Sequence, residues 1–154
     1  MLAEGLAGLP DVSVFLSLAE GAEILRGDAP PRCDLPVKTY ASMGGYLVCA
    51  LFAVFSVRGL RRRIGRLRPN IAICAPPGPL DLLMTMALGW LGVPYVVLVH
   101  DADAHPGDGF PFQMFLQRIL CRRALALAAL TSHVGDRLVA QNLAGTPRRP
   151  LESR

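Results

Sequence analysis

A chain of 154 residues has room for one domain with a core of its own. With 52% hydrophobic and 18% charged residues it is too apolar to be intrinsically disordered, and its 6% aromatic content argues against a base-stacking nucleic-acid binder. The net charge of +4 comes largely from one stretch, Arg58–Arg68, and does not describe a uniformly basic surface.

Met1–Leu9 reads as a helix, because Leu2, Leu6 and Leu9 fall on one helical face and Pro10 stops it. Val12, Val14 and Leu16 alternate with Ser13, Phe15 and Ser17, which predicts a strand over Val12–Leu16. Ala19–Tyr40 is broken by Gly21, Gly27, Pro30, Pro31 and Pro36. It reads as a short helical turn around Glu20–Leu25 followed by irregular chain.

Met43–Arg68 is the longest helical candidate, with Leu47, Ala50, Val54, Val57, Leu60, Ile64 and Leu67 at steps of three and four. Its first part belongs to Tyr40–Val57, 18 residues without a charge. Its second part carries Arg58, Arg61, Arg62, Arg63, Arg66 and Arg68. Three readings stand for it: a core helix with a solvated arginine-rich end, an interfacial helix on anionic lipid, and a membrane span. A span needs about 20 apolar residues, and Ser42, Gly44 and Gly45 weaken that reading.

Pro69 ends the long helix, and Ile71–Ala75 reads as a short buried strand. The stiff loop Pro76–Pro79 leads into an apolar helix over Leu80–Leu91. Pro79 suits the first helical position and Asp81 the first turn. Gly92-Val93-Pro94 returns the chain to the β-branched run Tyr95–Val99, a strand expected to be buried on both faces. This strand–helix–strand unit implies a right-handed parallel crossover.

The most concentrated titratable cluster follows at once: His100, Asp101, Asp103, His105 and Asp108, in a loop broken by Pro106 and Gly107. Ligands of parallel sheets bind outside the carboxyl ends of strands, where this cluster begins. It could hold a metal through imidazole and carboxylate, although its spacing matches no metal signature. It could be a solvated loop whose acids turn the chain and cap the next helix. The favoured reading is a substrate-binding loop at the sheet's carboxyl edge. Beyond it, Asp108 can cap a helix bearing Phe112, Phe115, Leu116, Ile119 and Leu120. Leu125–Leu130 reads as a buried strand, and Ser132 as the N-cap of a helix His133–Leu143 ended by Gly145 and Pro147. The tail, residues 146–154, has no periodicity and reads as disordered.

Cys33, Cys49, Cys74 and Cys121 form no Cys-x-x-Cys pair, which argues against zinc or redox motifs and fits reduced thiols of the cytosol. The opening residues lack the basic start and apolar core of a signal peptide.

The order of elements, the loop Val99–Asp108 and the later run Leu130–Leu138 resemble the N-terminal domain of family-4-type glycosyltransferases. The Arg68-Pro69-Asn70 step and the Gly92-Val93-Pro94 return support this. The resemblance covers most of Met1–Asn142. It implies the GT-B architecture, two Rossmann-like domains across a cleft. The chain is then an α/β, Rossmann-like acceptor-side domain over residues 1–145, a parallel sheet with helices on both faces. The family's first strand and glycine-rich loop would precede Met1, and Leu125 stands where the family usually has an acid. The Glu-x7-Glu motif of the donor-binding domain is absent.

By resemblance, the complete enzyme takes a sugar from a nucleotide-sugar donor to a hydroxyl acceptor without metal or cofactor, and this chain alone is expected to be inactive. His100 and Asp101 are the candidates for acceptor contact or base work, with Asp103, His105, Ser132 and His133 as further acceptor-side candidates. Arg58, Arg61, Arg62, Arg63 and Arg66 are the candidate membrane-surface residues, for a cytoplasmic protein peripheral at the inner face of the membrane. The rival reading is a non-catalytic membrane-associated or interaction protein using the 43–68 helix. A metal hydrolase built on His100, Asp101 and His105 is a third. Nucleic acid is not an expected partner.

Overall fold

A computed structural model describes residues 2–20, 22–38, 53–75, 81–100 and 113–143. The chain is α/β with parallel strands, and it divides into two compact units, Met1–Val54 and Phe55–Arg154.

The first unit opens on helix α1 (Leu2–Ala7), closed by Gly8 and Leu9 amides on the carbonyls of Glu4 and Leu6. The first strand is not Val12–Leu16. That stretch is extended but outside the ladder, and β1 is Ser17–Ala19. Alternation of side chains marks a chain suited to a half-buried face, but a strand also needs a partner. Here the partner is β2 (Leu35–Val37), paired in parallel with Ser17 opposite Leu35. The Asp34 carboxylate fixes this register by accepting the Leu16 amide at 3.0 Å, while Ser17 Oγ donates to the Leu35 carbonyl at 2.9 Å. Val12 and Phe15 stay exposed. β2 falls in the stretch expected to be irregular. Pro36 lacks an amide hydrogen, and it is accommodated in this short strand between Leu35 and Val37. The expected helical turn is present as a 3₁₀ turn over Glu23–Arg26.

The second unit holds the rest. Helix α2 (Ala53–Leu67), which enters the second unit at Phe55, is the described part of the long helix; residues 43–52 lie outside the described residues. Val57, Leu60 and Ile64 are buried along one stripe, and Arg58, Arg61, Arg62, Arg63 and Arg66 are exposed around the remainder. The apolar stripe is therefore turned into the protein. Among the described residues no helix is long and apolar enough to cross a membrane. The helix ends as Arg68 takes a left-handed φ of 49°, ahead of Pro69, whose ring disfavours a helical residue before it.

Three strands follow, β3 (Ala72–Cys74), β4 (Tyr95–Val99) and β5 (Ala126–Ala129). All are parallel, with β4 in the centre. Helix α3 (Asp81–Leu91) joins β3 to β4, and helix α4 (Gln113–Arg123) precedes β5. α3 ends at Gly92, whose φ of 69° suits only glycine without strain. The Gly92 and Val93 amides return to the carbonyls of Gly89 and Leu88, closing the helix end.

The core sits on one side of β4, which is not buried on both faces as its apolar run suggested: Val96 and Leu98, on the other face, are only half-buried. Tyr95, Val97 and Val99 are buried there with Ala87 and Leu88 of α3 and Leu120 and Cys121 of α4. The Tyr95 hydroxyl donates to the Leu120 carbonyl at 3.1 Å, tying the start of the strand to the helix end. Burial pushes the Tyr95 phenol above its ordinary range, so it stays a neutral donor.

The flanking strands are less buried than their apolar sequences suggest. β5, expected to be buried, is largely exposed, as is Leu130 after it; Ile71 and Ile73, around β3, are also exposed. Each of these two strands has a ladder partner on one side only among the described residues, and solvent reaches what a further neighbour would cover.

Candidate functional site

The carboxyl edge of the three-stranded sheet is built by register. Val99 pairs with Ala129, and the Leu130 amide donates to the Val99 carbonyl at 3.3 Å. Strands β4 and β5 therefore end side by side. His100 is the first residue beyond β4 and is exposed. Ser132 and His133, also exposed, are the first two residues of helix α5 (Ser132–Ala140), which starts just beyond the end of β5. Three of the candidate residues thus emerge at one edge, on neighbouring rigid elements. Asp101, Asp103 and His105, together with Asp108, lie outside the described residues.

The cap of α5 corrects the sequence reading. The N-cap is Thr131, not Ser132: Thr131 is extended, with φ −137° and ψ 156°, and its Oγ1 accepts the Val134 amide at 3.2 Å. Both residues have capping hydroxyls, so only the backbone turn decides between them. Ser132 is thereby released from the structural role assigned to it. The far end of the helix also differs. It closes at Asn142, with φ 52°, whose amide and that of Leu143 return to Val139 and Leu138, well before Gly145. Thr131→Ala should cost about 1 kcal/mol of stability through the lost cap, while Ser132→Ala should stay within about 0.5 kcal/mol of the parent. Urea denaturation of the two variants separates them; equal losses would return the cap to Ser132.

The electrostatics of this edge favour anions and a neutral thiol. The amino end of α5 carries the partial positive charge of its aligned peptides and points out of the sheet edge. Cys74, the last residue of β3, is half-buried. Burial first, and the Asp81 carboxylate second, push its thiol up to about 12, so it remains protonated and is no nucleophile at neutral pH. Cys121 behaves alike, its thiol pushed up to about 11 by burial. Among the described residues no three His, Cys, Asp or Glu side chains gather as a metal-binding group. What the described part of the edge offers is an imidazole on a rigid strand end, a hydroxyl, a second imidazole and a helix terminus. These can bind hydroxyl-bearing and anionic groups and move a proton.

A family model described as a glycosyl transferase 4-like domain matches residues 1–151. Comparison with curated proteins gives no match.

Proposed function

The chain belongs to the glycosyl transferase 4-like family, and from that premise we propose that it supplies the acceptor side of a transferase moving a sugar from a nucleotide-sugar donor to a hydroxyl acceptor. The observation that carries this reading is the position of His100, exposed at the carboxyl end of the central strand, with Ser132 and His133 delivered to the same edge by the neighbouring strand. Ligands of open parallel sheets bind at this edge.

In the proposed reaction His100 takes the proton of the acceptor hydroxyl. The freed oxygen attacks the anomeric carbon of the donor sugar, and the bond from that carbon to the diphosphate oxygen breaks. The nucleoside diphosphate leaves with the bonding electrons. Asp101, next in sequence, orients the imidazole or meets the acceptor hydroxyl. Asp103, His105, Ser132 and His133 extend the acceptor contacts. Positive side chains of a donor-binding half, together with helix amino ends, stabilise the departing diphosphate, and the step calls for no metal. The free thiols Cys33, Cys74 and Cys121 suit a reducing compartment, and the protein is read as cytoplasmic.

The test is a transfer assay on the chain completed by a donor-binding half. Labelled sugar should pass from a nucleotide sugar to a hydroxyl acceptor, with full activity in the presence of a chelator. Activity that needs a divalent cation and releases only free product to water would point instead to the hydrolase built on the same loop.

A further inference from the structure

We propose that a cavity at the amino end of the central strand binds a small aromatic carboxylate, its ring against Trp90 and its carboxylate on Arg123. The proposal does not rest on the sugar-transfer reading and is tested without it.

A cavity of about 270 Å³ is lined by Thr85, Met86, Gly89, Trp90, Tyr95 and Arg123. The first four belong to α3, Tyr95 is the first residue of β4, and Arg123 is the last of α4. The cavity is therefore at the amino edge of the sheet. About 16 Å of extended chain separates Tyr95 from His100, so an occupant here leaves the carboxyl edge open. Part of the wall is fixed in place. Thr85 and Tyr95 are buried, and their hydroxyls donate to the carbonyls of Leu82 and Leu120, each at 3.1 Å. A wall already ordered lowers the cost of binding.

Met86, Gly89 and Trp90 stand at i, i+3 and i+4, on one helix face. Glycine weakens a helix interior relative to alanine. Nothing in the fold requires glycine at position 89: its φ is not left-handed, and a methyl group there would meet no neighbouring atom within 4 Å. What the missing side chain does is keep the cavity open. Trp90 is 46% exposed, and Met86 is also exposed. Indole and thioether together offer an apolar surface that a flat ring covers well.

Arg123 supplies the charge. It is exposed, and no ion pair between it and a described residue is present. The described acids of this unit, Asp81 and Asp136, belong to helices that start at the opposite sheet edge. Its guanidinium is left to an incoming anion, and a carboxylate matches its fork with two parallel hydrogen bonds. Size sets the limit. Ligand pockets generally span roughly 300–1,000 Å³, and this one is at the foot of that range. It has room for one ring and a small charged group, not for a nucleotide.

Trp90 is the chain's one tryptophan, so its fluorescence reports on this site alone. The full 154-residue chain is titrated with benzoate, benzyl alcohol, acetate and adenosine monophosphate, with excitation at the red edge of indole absorption. Benzoate is expected to change the emission saturably at roughly millimolar concentration, the order set by about nine heavy atoms. Benzyl alcohol lacks the charge and acetate lacks the ring; each should bind at least about tenfold more weakly. Arg123→Gln should weaken benzoate binding by about tenfold or more, leave benzyl alcohol unaffected, and keep the circular dichroism spectrum. Gly89→Met should fill the cavity and abolish the saturable change. If that variant does not fold, Gly89→Ala, which favours the helix, should weaken binding with no loss of melting temperature. No saturable response to benzoate, an equal response to benzyl alcohol, tighter binding of adenosine monophosphate, or benzoate binding unmoved by the Arg123 and Gly89 changes overturns the proposal. Emission that shifts on dilution of the chain without ligand overturns it in favour of a contact between two copies.

Discussion

Assayed by itself, the 154-residue chain is expected to transfer no sugar above the uncatalysed background. Transfer requires donor carbon and acceptor oxygen to be held together in a reactive geometry. That positioning contributes as much as ~7–11 kcal/mol in well-oriented reactions. In the proposed reading, the residues of the sheet edge, His100 and the start of α5, orient the acceptor. No Glu-x7-Glu pair, the donor-binding motif implied by the resemblance, occurs in the sequence. The measurement is incorporation of labelled sugar by the purified chain, alone and then together with a donor-binding half. A rise from background on completion fits the proposed division of labour. Robust turnover by the chain alone would show that both substrates bind within these residues, and the acceptor-side assignment would fall.

The central strand was the most legible part of the fold, and this has a physical reason. Tyr95–Val99 is β-branched, flanked by Gly92-Val93-Pro94, and has a neighbour on each side, so local preference and strand pairing agree, although only alternate residues are fully buried. β5 shows what sequence withholds. Its apolar run promised burial, yet apolarity states only what a strand tolerates, and Ala126, Ala128 and Ala129 are exposed in a strand with one ladder partner among the described residues. The first strand was shifted because alternation at Val12–Leu16 carries no information about the length or place of a partner. That partner, β2, was hidden behind Pro36. The cap of α5 was ambiguous between adjacent hydroxyls, and the Asp81 influence on Cys74 depends on spatial approach, which spacing in sequence does not express. At the site, the place of His100 followed from the strand that ends before it, whereas Asp101, Asp103 and His105 lie outside the described residues.

His100→Ala, in the chain completed by a donor-binding half, is expected to lower transfer by roughly 10²–10⁴ while leaving the fold intact. The size follows from the role. An imidazole can take a hydroxyl proton as a general base, and general-base catalysis contributes a factor of that order. Intact folding follows from the position: His100 is exposed beyond the last residue of β4, and Val99, not His100, fills the core. A side chain that lies outside the core leaves no cavity when it is cut back, so the fold should stay intact. The strand end matters for the rate as well. A residue set on a rigid central strand is held closer to a productive geometry than one in a mobile loop. His100→Gln adds a control, since it keeps hydrogen-bonding capacity but cannot accept the proton as a base; it should be nearly as slow as alanine if proton transfer is the role, and near the parent rate if acceptor contact is. Thermal melts and steady-state rates measured on all three proteins separate the two effects. Full activity in His100→Ala, or activity lost only in step with unfolding, would leave the loop as scaffold. The base would then have to be sought among Asp101, His105 and His133.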